Sequence, residues 1–185
     1  MTVMTWPDHL LSLADWDTLP EDTAHHYEVV EGILHVSPRP VSDHQWALLR
    51  LWSQLDSQLP TELRALLEVD VTLFGPWPAT VRAPDLVVVP TIAAKASPAR
   101  YDAEAVCLAV EVISPGSRST DRILKFAEYA DAGIEHYWIV DLQHIITITT
   151  YRLVNGRYEL DAEATDTLVV QAPAPLTVDV TALAS

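Results

Sequence analysis

The apolar positions of this chain switch between two periods, and each switch marks an element. Over residues 42–59, Trp46, Leu48, Leu51, Trp52, Leu55 and Leu59, with Leu49, recur as one face of a helix. Ser42 and Gln45 have the spacing of a capping box at its start, and Pro60 stops it. Residues 26–36 alternate as a hairpin, Tyr27-Glu28-Val29-Val30-Glu31 and Ile33-Leu34-His35-Val36 about Gly32. Residues 66–74 and 85–89 read as strands, closed by Gly75-Pro76-Trp77-Pro78 and by Pro90. Residues 106–113 are apolar almost without interruption, as in a strand buried on both faces. The period then lengthens. Ile123, Phe126, Ala127 and Ala130 predict a helix over 119–132, with Gly133 as its stop. Strands follow at 136–140 and 145–151, and the tail from Tyr158 adds one or two edge strands. A short helix over 6–13 opens the chain, with Pro7 in its first turn.

Strand, helix, strand over 106–140 is a βαβ unit, which makes a parallel pair with a right-handed crossover. With hairpins on either side of it, the expected fold class is α/β: a mixed β-sheet flanked by helices, with an N-terminal hairpin and C-terminal edge strands. The 185 residues suit one domain, 1–185, with its core over about 27–158, and 49% hydrophobic content supports a real core.

Composition changes the picture in three places. No apolar run reaches the roughly 18 residues of a membrane span, and no cation precedes the first apolar stretch as in a signal peptide. No membrane association is expected. The single cysteine, Cys107, has no partner for an internal disulfide and sits among Val106, Leu108 and Ala109. It reads as a buried thiol of a cytoplasmic protein. The net charge of −15 opposes nucleic-acid binding, because phosphate contacts need cations. Between Arg82 and Lys125, however, six cations face five acids, so the acidity is concentrated elsewhere. Trp6, Trp16 and Trp77 look exposed and nominate a self-association surface, hence a homodimer.

The candidate chemistry starts from Glu111. A carboxylate inside Val106-Cys107-Leu108-Ala109-Val110-Glu111-Val112-Ile113 costs several kcal/mol unless it has a partner, on the order of the burial penalty of any ion. It reads either as an ion-paired or strand-end residue, or as a metal ligand or catalytic acid. Asp85 alone is an ordinary turn residue at a strand start. Paired with Glu111 on a neighbouring strand, it could hold a hard divalent cation. Asp121, Lys125 and Tyr129, four apart, line one helical face, placed opposite the apolar one. There an exposed Asp121–Lys125 pair would be worth about 0.3–0.5 kcal/mol, and losing Lys125 would barely change stability. The competing reading brings Lys125 back over the end of the Glu111 strand.

Four segments together are similar to the Uma-type endonuclease family of the PD-(D/E)XK superfamily. They are Arg82-Ala83-Pro84-Asp85; Val110-Glu111-Val112-Ile113-Ser114-Pro115; Asp121, Lys125 and Tyr129; and Gly133-Ile134-Glu135-His136-Tyr137-Trp138-Ile139-Val140-Asp141. The hairpin through Glu28 and the following His44 extend the resemblance over about 27–158. It implies a restriction-endonuclease-like fold and a catalytic set of Asp85, Glu111 and Lys125. The superfamily's lysine normally stands two residues after the acid; this chain has Ile113 there, and the resemblance implies that Lys125 replaces it from the helix. Glu28, His44, Asp121 and Tyr129 are supporting residues. His44 either faces the site or merely opens its helix.

The implied activity is an endonuclease that hydrolyses DNA phosphodiester bonds. Asp85, Glu111 and the Val112 carbonyl would hold Mg²⁺, or Mn²⁺ in its place, and Lys125 would serve the attacking water. Arg82, Arg118 and Arg122 are candidate phosphate contacts, or else solvated surface. Two other readings stand beside this one: a catalytically silent interaction protein of the same fold, which the charge favours, and a hydrolase of a smaller phosphodiester.

Overall fold

The computed structural model describes residues 7–19, 25–113, 119–143 and 145–184. Chain order is α1 (Leu13–Asp17), β1 (His25–Val30), β2 (Ile33–Pro38), α2 (Ser42–Asp56), β3 (Leu63–Leu67), β4 (Val71–Phe74), β5 (Thr80–Arg82) and β6 (Leu86–Pro90). Next come α3 (Thr91–Ala96), β7 (Tyr101–Asp102), β8 (Leu108–Ile113), α4 (Ser119–Asp131), β9 (His136–Asp141), β10 (Thr147–Val154), β11 (Arg157–Ala164), β12 (Thr167–Val170) and β13 (Leu176–Asp179).

The βαβ unit expected over 106–140 is present. β8 and β9 are parallel, in register from Leu108↔His136 to Ile113↔Asp141, with α4 as the connection. They are the centre of a mixed sheet of order β11-β10-β9-β8-β6-β3, in which every other pairing is antiparallel. Both faces of this sheet are covered. On one, α2 and the β12–β13 hairpin pack Leu51, Leu55, Leu168 and Val178 over Leu86, Val110 and Trp138. On the other, Tyr129, Ala130 and Ile134 pack over Val87, Ala109 and Tyr137. This two-sided burial explains the unbroken apolar run of β8.

A second sheet, β2-β1-β5-β4-β7, holds the N-terminal hairpin, whose turn is Glu31-Gly32. Gly32 has φ +79, and a Cβ there would meet Leu10 Cβ at 2.7 Å, so the position requires glycine. The link from β5 to β6, Ala83-Pro84-Asp85, passes from this sheet to the six-stranded one.

Several expectations from periodicity are corrected. The N-terminal helix covers Leu13–Asp17 rather than 6–13, because Ser12 and Asp15 form a reciprocal capping box there. The capping box expected at Ser42 is absent: Val41 is the N-cap and makes no side-chain cap bond. The run 66–74 is two strands, because Glu68 takes φ +49 and its amide donates to the Asp85 carbonyl, sending β3 and β4 into different sheets. In the tail, β11 is an edge strand as expected, but β12 and β13 pair only with each other. Cys107 is part-buried, since it lies just before β8 rather than inside it. Trp16 is also part-buried and donates from Nε1 to Asp70 Oδ2, while Trp77 is 63% exposed and Trp6 lies outside the described residues. No helix among the described residues is long and apolar enough to cross a membrane.

The largest correction concerns α4. Ile123, meant to lead its buried stripe, is 70% exposed, whereas Tyr129 is fully buried. The face carrying Lys125 and Tyr129 is turned toward the sheet. Gly133, at φ +82, ends the helix as expected: its amide donates to Ala130 and that of Ile134 to the Tyr129 carbonyl, a Schellman closure.

Candidate active site

Side chains from β1, α2, the link into β6, β8 and α4 converge where the two sheets meet. Leu86 lies opposite Val110 in the antiparallel β6–β8 pair, so one step back along the register sets Asp85 across from Glu111. Asp85 Oδ2 accepts the Val112 amide at 2.6 Å, and His44 Nε2, from the first turn of α2, stands 3.2 Å from the same oxygen. Glu111 Oε1 accepts from Lys125 Nζ at 2.9 Å and from the Tyr129 hydroxyl at 2.7 Å. The ammonium of Lys125 also reaches Glu28 Oε1 on β1, at 3.1 Å.

A second layer holds the first. Arg82 donates from Nη1 to Glu28 Oε2 at 2.8 Å, and from Nε and Nη2 to the two oxygens of Glu128 at 2.7 and 3.0 Å. This two-point contact is the strong form of a guanidinium–carboxylate pair. Ala83 adds its amide to Glu28 Oε1 at 3.2 Å. Arg82 is 4% exposed and committed to these carboxylates, so it is an internal organiser and not the surface phosphate contact expected of it.

The structure thus brings together Asp85, Glu111, Lys125, Tyr129, Glu28, His44 and Arg82. Arg118 lies outside the described residues, as do the side chains of Asp121 and Arg122. Of the two readings of Lys125, the structure has the one that brings it back over the end of the Glu111 strand: its side chain is only 13% exposed, between Glu111 and Glu28. Glu128 escaped the sequence reading. Its only signal was its position three residues after Lys125, on the same side of the helix.

The ionisation of the cluster follows from its burial. Burial pushes the Glu28 carboxyl up, but Lys125 and Arg82 outweigh it and hold its pKa at about 2. Glu111 goes the other way, to about 7: burial raises it most, and together with nearby Asp85 and Glu28 it outweighs the help of Lys125. For Lys125, burial opposes the charge, but Glu111, Glu28 and Asp85 prevail and hold its pKa above the ordinary lysine value. Burial also pushes the Tyr129 hydroxyl well up, so it acts as a neutral donor. Burial lowers His44, and Asp85 more than restores it.

Charge and free lone pairs say what this cluster can accept. Among the described residues, Arg82 and Lys125 pair with Glu28, Glu111 and Glu128, and His44 stands beside Asp85. Among the described residues, every donor on Glu111 falls on Oε1 and every donor on Asp85 on Oδ2. Oε2 and Oδ1 are left to a ligand. In an extended strand the amide and carbonyl of one residue face the same edge, so the Val112 carbonyl opens where its amide meets Asp85. Oxygen donors, and more carboxylates than basic side chains among the described residues of the cluster, suit a hard divalent cation. No group of three or more His, Cys, Asp or Glu with metal-holding geometry occurs among the described residues, so main-chain oxygen and water would complete the shell.

A mixed sheet with paired carboxylates and a helical lysine at its central strands is the arrangement that the resemblance to restriction-endonuclease-like proteins implies. The chain belongs to the Uma2 family, described as "Putative restriction endonuclease", whose model matches residues 13–182. Among curated proteins none matches. A solved structure with the same fold is a "putative nuclease belonging to DUF820" from Anabaena variabilis ATCC 29413. Its TM-score is 0.71 at 22% identity, covering 94% of this chain and 97% of that one.

Proposed function

We propose that this protein is a Mg²⁺-dependent endonuclease acting on DNA, with Asp85, Glu111 and Lys125 as its catalytic residues. The observation that carries this reading is the convergence of the three at the β6–β8–α4 junction, with Oδ1 of Asp85 and Oε2 of Glu111 unused by any donor among the described residues. Asp85, Glu111 and the Val112 carbonyl hold the cation, and Mn²⁺ can replace it. When bound, the cation polarises the phosphodiester and acidifies a water. Lys125, held protonated by Glu111 and Glu28, places its ammonium beside the carboxylates to orient that water and stabilise developing negative charge. Tyr129 fixes the Glu111 rotamer by its hydroxyl. Arg118 and Arg122 are the phosphate contacts of this reading.

Plasmid cleavage with and without Mg²⁺ or Mn²⁺ tests it, with Glu111→Gln beside the wild type. Metal-dependent nicking by the wild type alone is expected. The net charge of −15 favours a second reading, a silent member of the fold that binds a protein partner. Mg²⁺ binding without turnover of plasmid or of a small diester such as bis(p-nitrophenyl) phosphate would support that alternative. Turnover of the small diester alone would assign a smaller substrate.

A further inference from the structure

His44 occupies the first turn of α2, and its side chain is 8% exposed. Burying an imidazole there gains little as packing, because a valine or leucine would fill the space without a polar atom to satisfy. The ring nitrogens divide clearly. Nε2 stands 3.2 Å from Asp85 Oδ2, whereas Nδ1 is buried with no hydrogen-bond partner. A proton on Nδ1 would be a buried donor without an acceptor, and Nε2 would then meet the carboxylate lone pair to lone pair. A proton on Nε2 removes both costs.

We infer that His44 is a positioning residue: it donates from Nε2–H to Asp85 Oδ2 and so turns Oδ1 toward the cation. This rests on the metal-dependent reading above. The amide of Val112 and the ring of His44 together supply two donors to one oxygen. That fixes the carboxylate plane, which a single amide bond leaves free to rotate about its Oδ2. A direct metal bond from Nε2 is the rival role, and it demands the opposite protonation.

The test uses the full chain and Mg²⁺ alone. Metal affinity is measured by calorimetry for the wild type, His44→Gln, His44→Asn and His44→Phe, with melting followed in chelator. Glutamine carries its amide nitrogen as many bonds from Cβ as Nε2 and restores the donor; asparagine puts it where Nδ1 lies and does not. Loss of a group that orients a ligand costs about 10–100-fold in metal affinity. His44→Phe and His44→Asn should show that loss, and His44→Gln should stay near the wild type. Equal affinity in all four would overturn the inference but leave the metal site standing. Failure of His44→Gln, with loss of the Nε2 proton when Mg²⁺ is added, would make His44 a ligand and overturn it too. If the wild type binds no Mg²⁺, the metal-dependent reading falls, and the ring ¹⁵N spectrum of the metal-free protein decides the hydrogen bond by itself. A protonated Nε2 is expected; an unprotonated one would refute the donor role.

Discussion

At the scale of single residues, Lys125 shows how far burial changes the meaning of a charge. An exposed lysine four residues from an aspartate would be dispensable for stability. Here its ammonium lies between Glu111 and Glu28 with little solvent access. Removing one partner of a buried pair leaves an uncompensated charge, at a cost of about 3–5 kcal/mol. Lys125→Ala should therefore lower unfolding free energy at neutral pH by about 3 kcal/mol, as read from urea denaturation. The loss should shrink when Glu28→Gln is added, because the second variant removes one stranded carboxylate. A change under about 1 kcal/mol would mean that the lysine is solvated after all.

Among the elements, α4 presents its charged and aromatic face to the sheet. Tyr129 is the clearest anchor: its ring is buried on Tyr137, and its hydroxyl reaches Glu111 Oε1 on β8. Phe126, Tyr137, Tyr151 and Tyr158 extend the packing as edge-to-face and stacked rings. Tyr129→Phe keeps the ring and deletes one hydrogen bond to a charged group, worth about 1.5–3 kcal/mol. Amide hydrogen exchange should quicken along α4 and leave β10–β11 unchanged. Uniform exchange across both would show that the hydroxyl does not tie the helix to the sheet.

Over the whole molecule, the Glu28–Arg82–Glu128 network joins the five-stranded sheet to α4, which packs on the six-stranded one. Its acid sensitivity should therefore be felt globally. The Glu28 carboxyl is depressed from 4.5 to about 2. A depressed acid contributes stability that is present above its unfolded pKa and is lost as pH falls through the folded one. The window is thus pH 4.5 down to about 2, and a shift of that size corresponds to about 3 kcal/mol. Melting temperature should fall through this window in the wild type. Glu28→Gln should start lower at pH 6 and slope less. Parallel curves would place the acid sensitivity elsewhere.

The amino-acid pattern alone determined what is local. Alternation about Gly32 specified the hairpin, the apolar run specified a strand covered on both faces, and Gly133 specified where α4 stops. Glu111 was legible because a carboxylate among six or seven apolar neighbours is too costly to be incidental. Tertiary structure decided which side of α4 faces inward. Helical period says which residues share a face, but a face bearing Asp121, Lys125 and Tyr129 reads as solvated unless its partners are known. Those partners are Glu28, Arg82 and Glu111, brought from β1, β5 and β8. Arg82 lies 54 residues from Glu28 and 46 from Glu128. No local pattern spans such separations, so the inward turn of Arg82, Glu128 and Lys125 exists only where two sheets and a helix meet and the buried charges find one another.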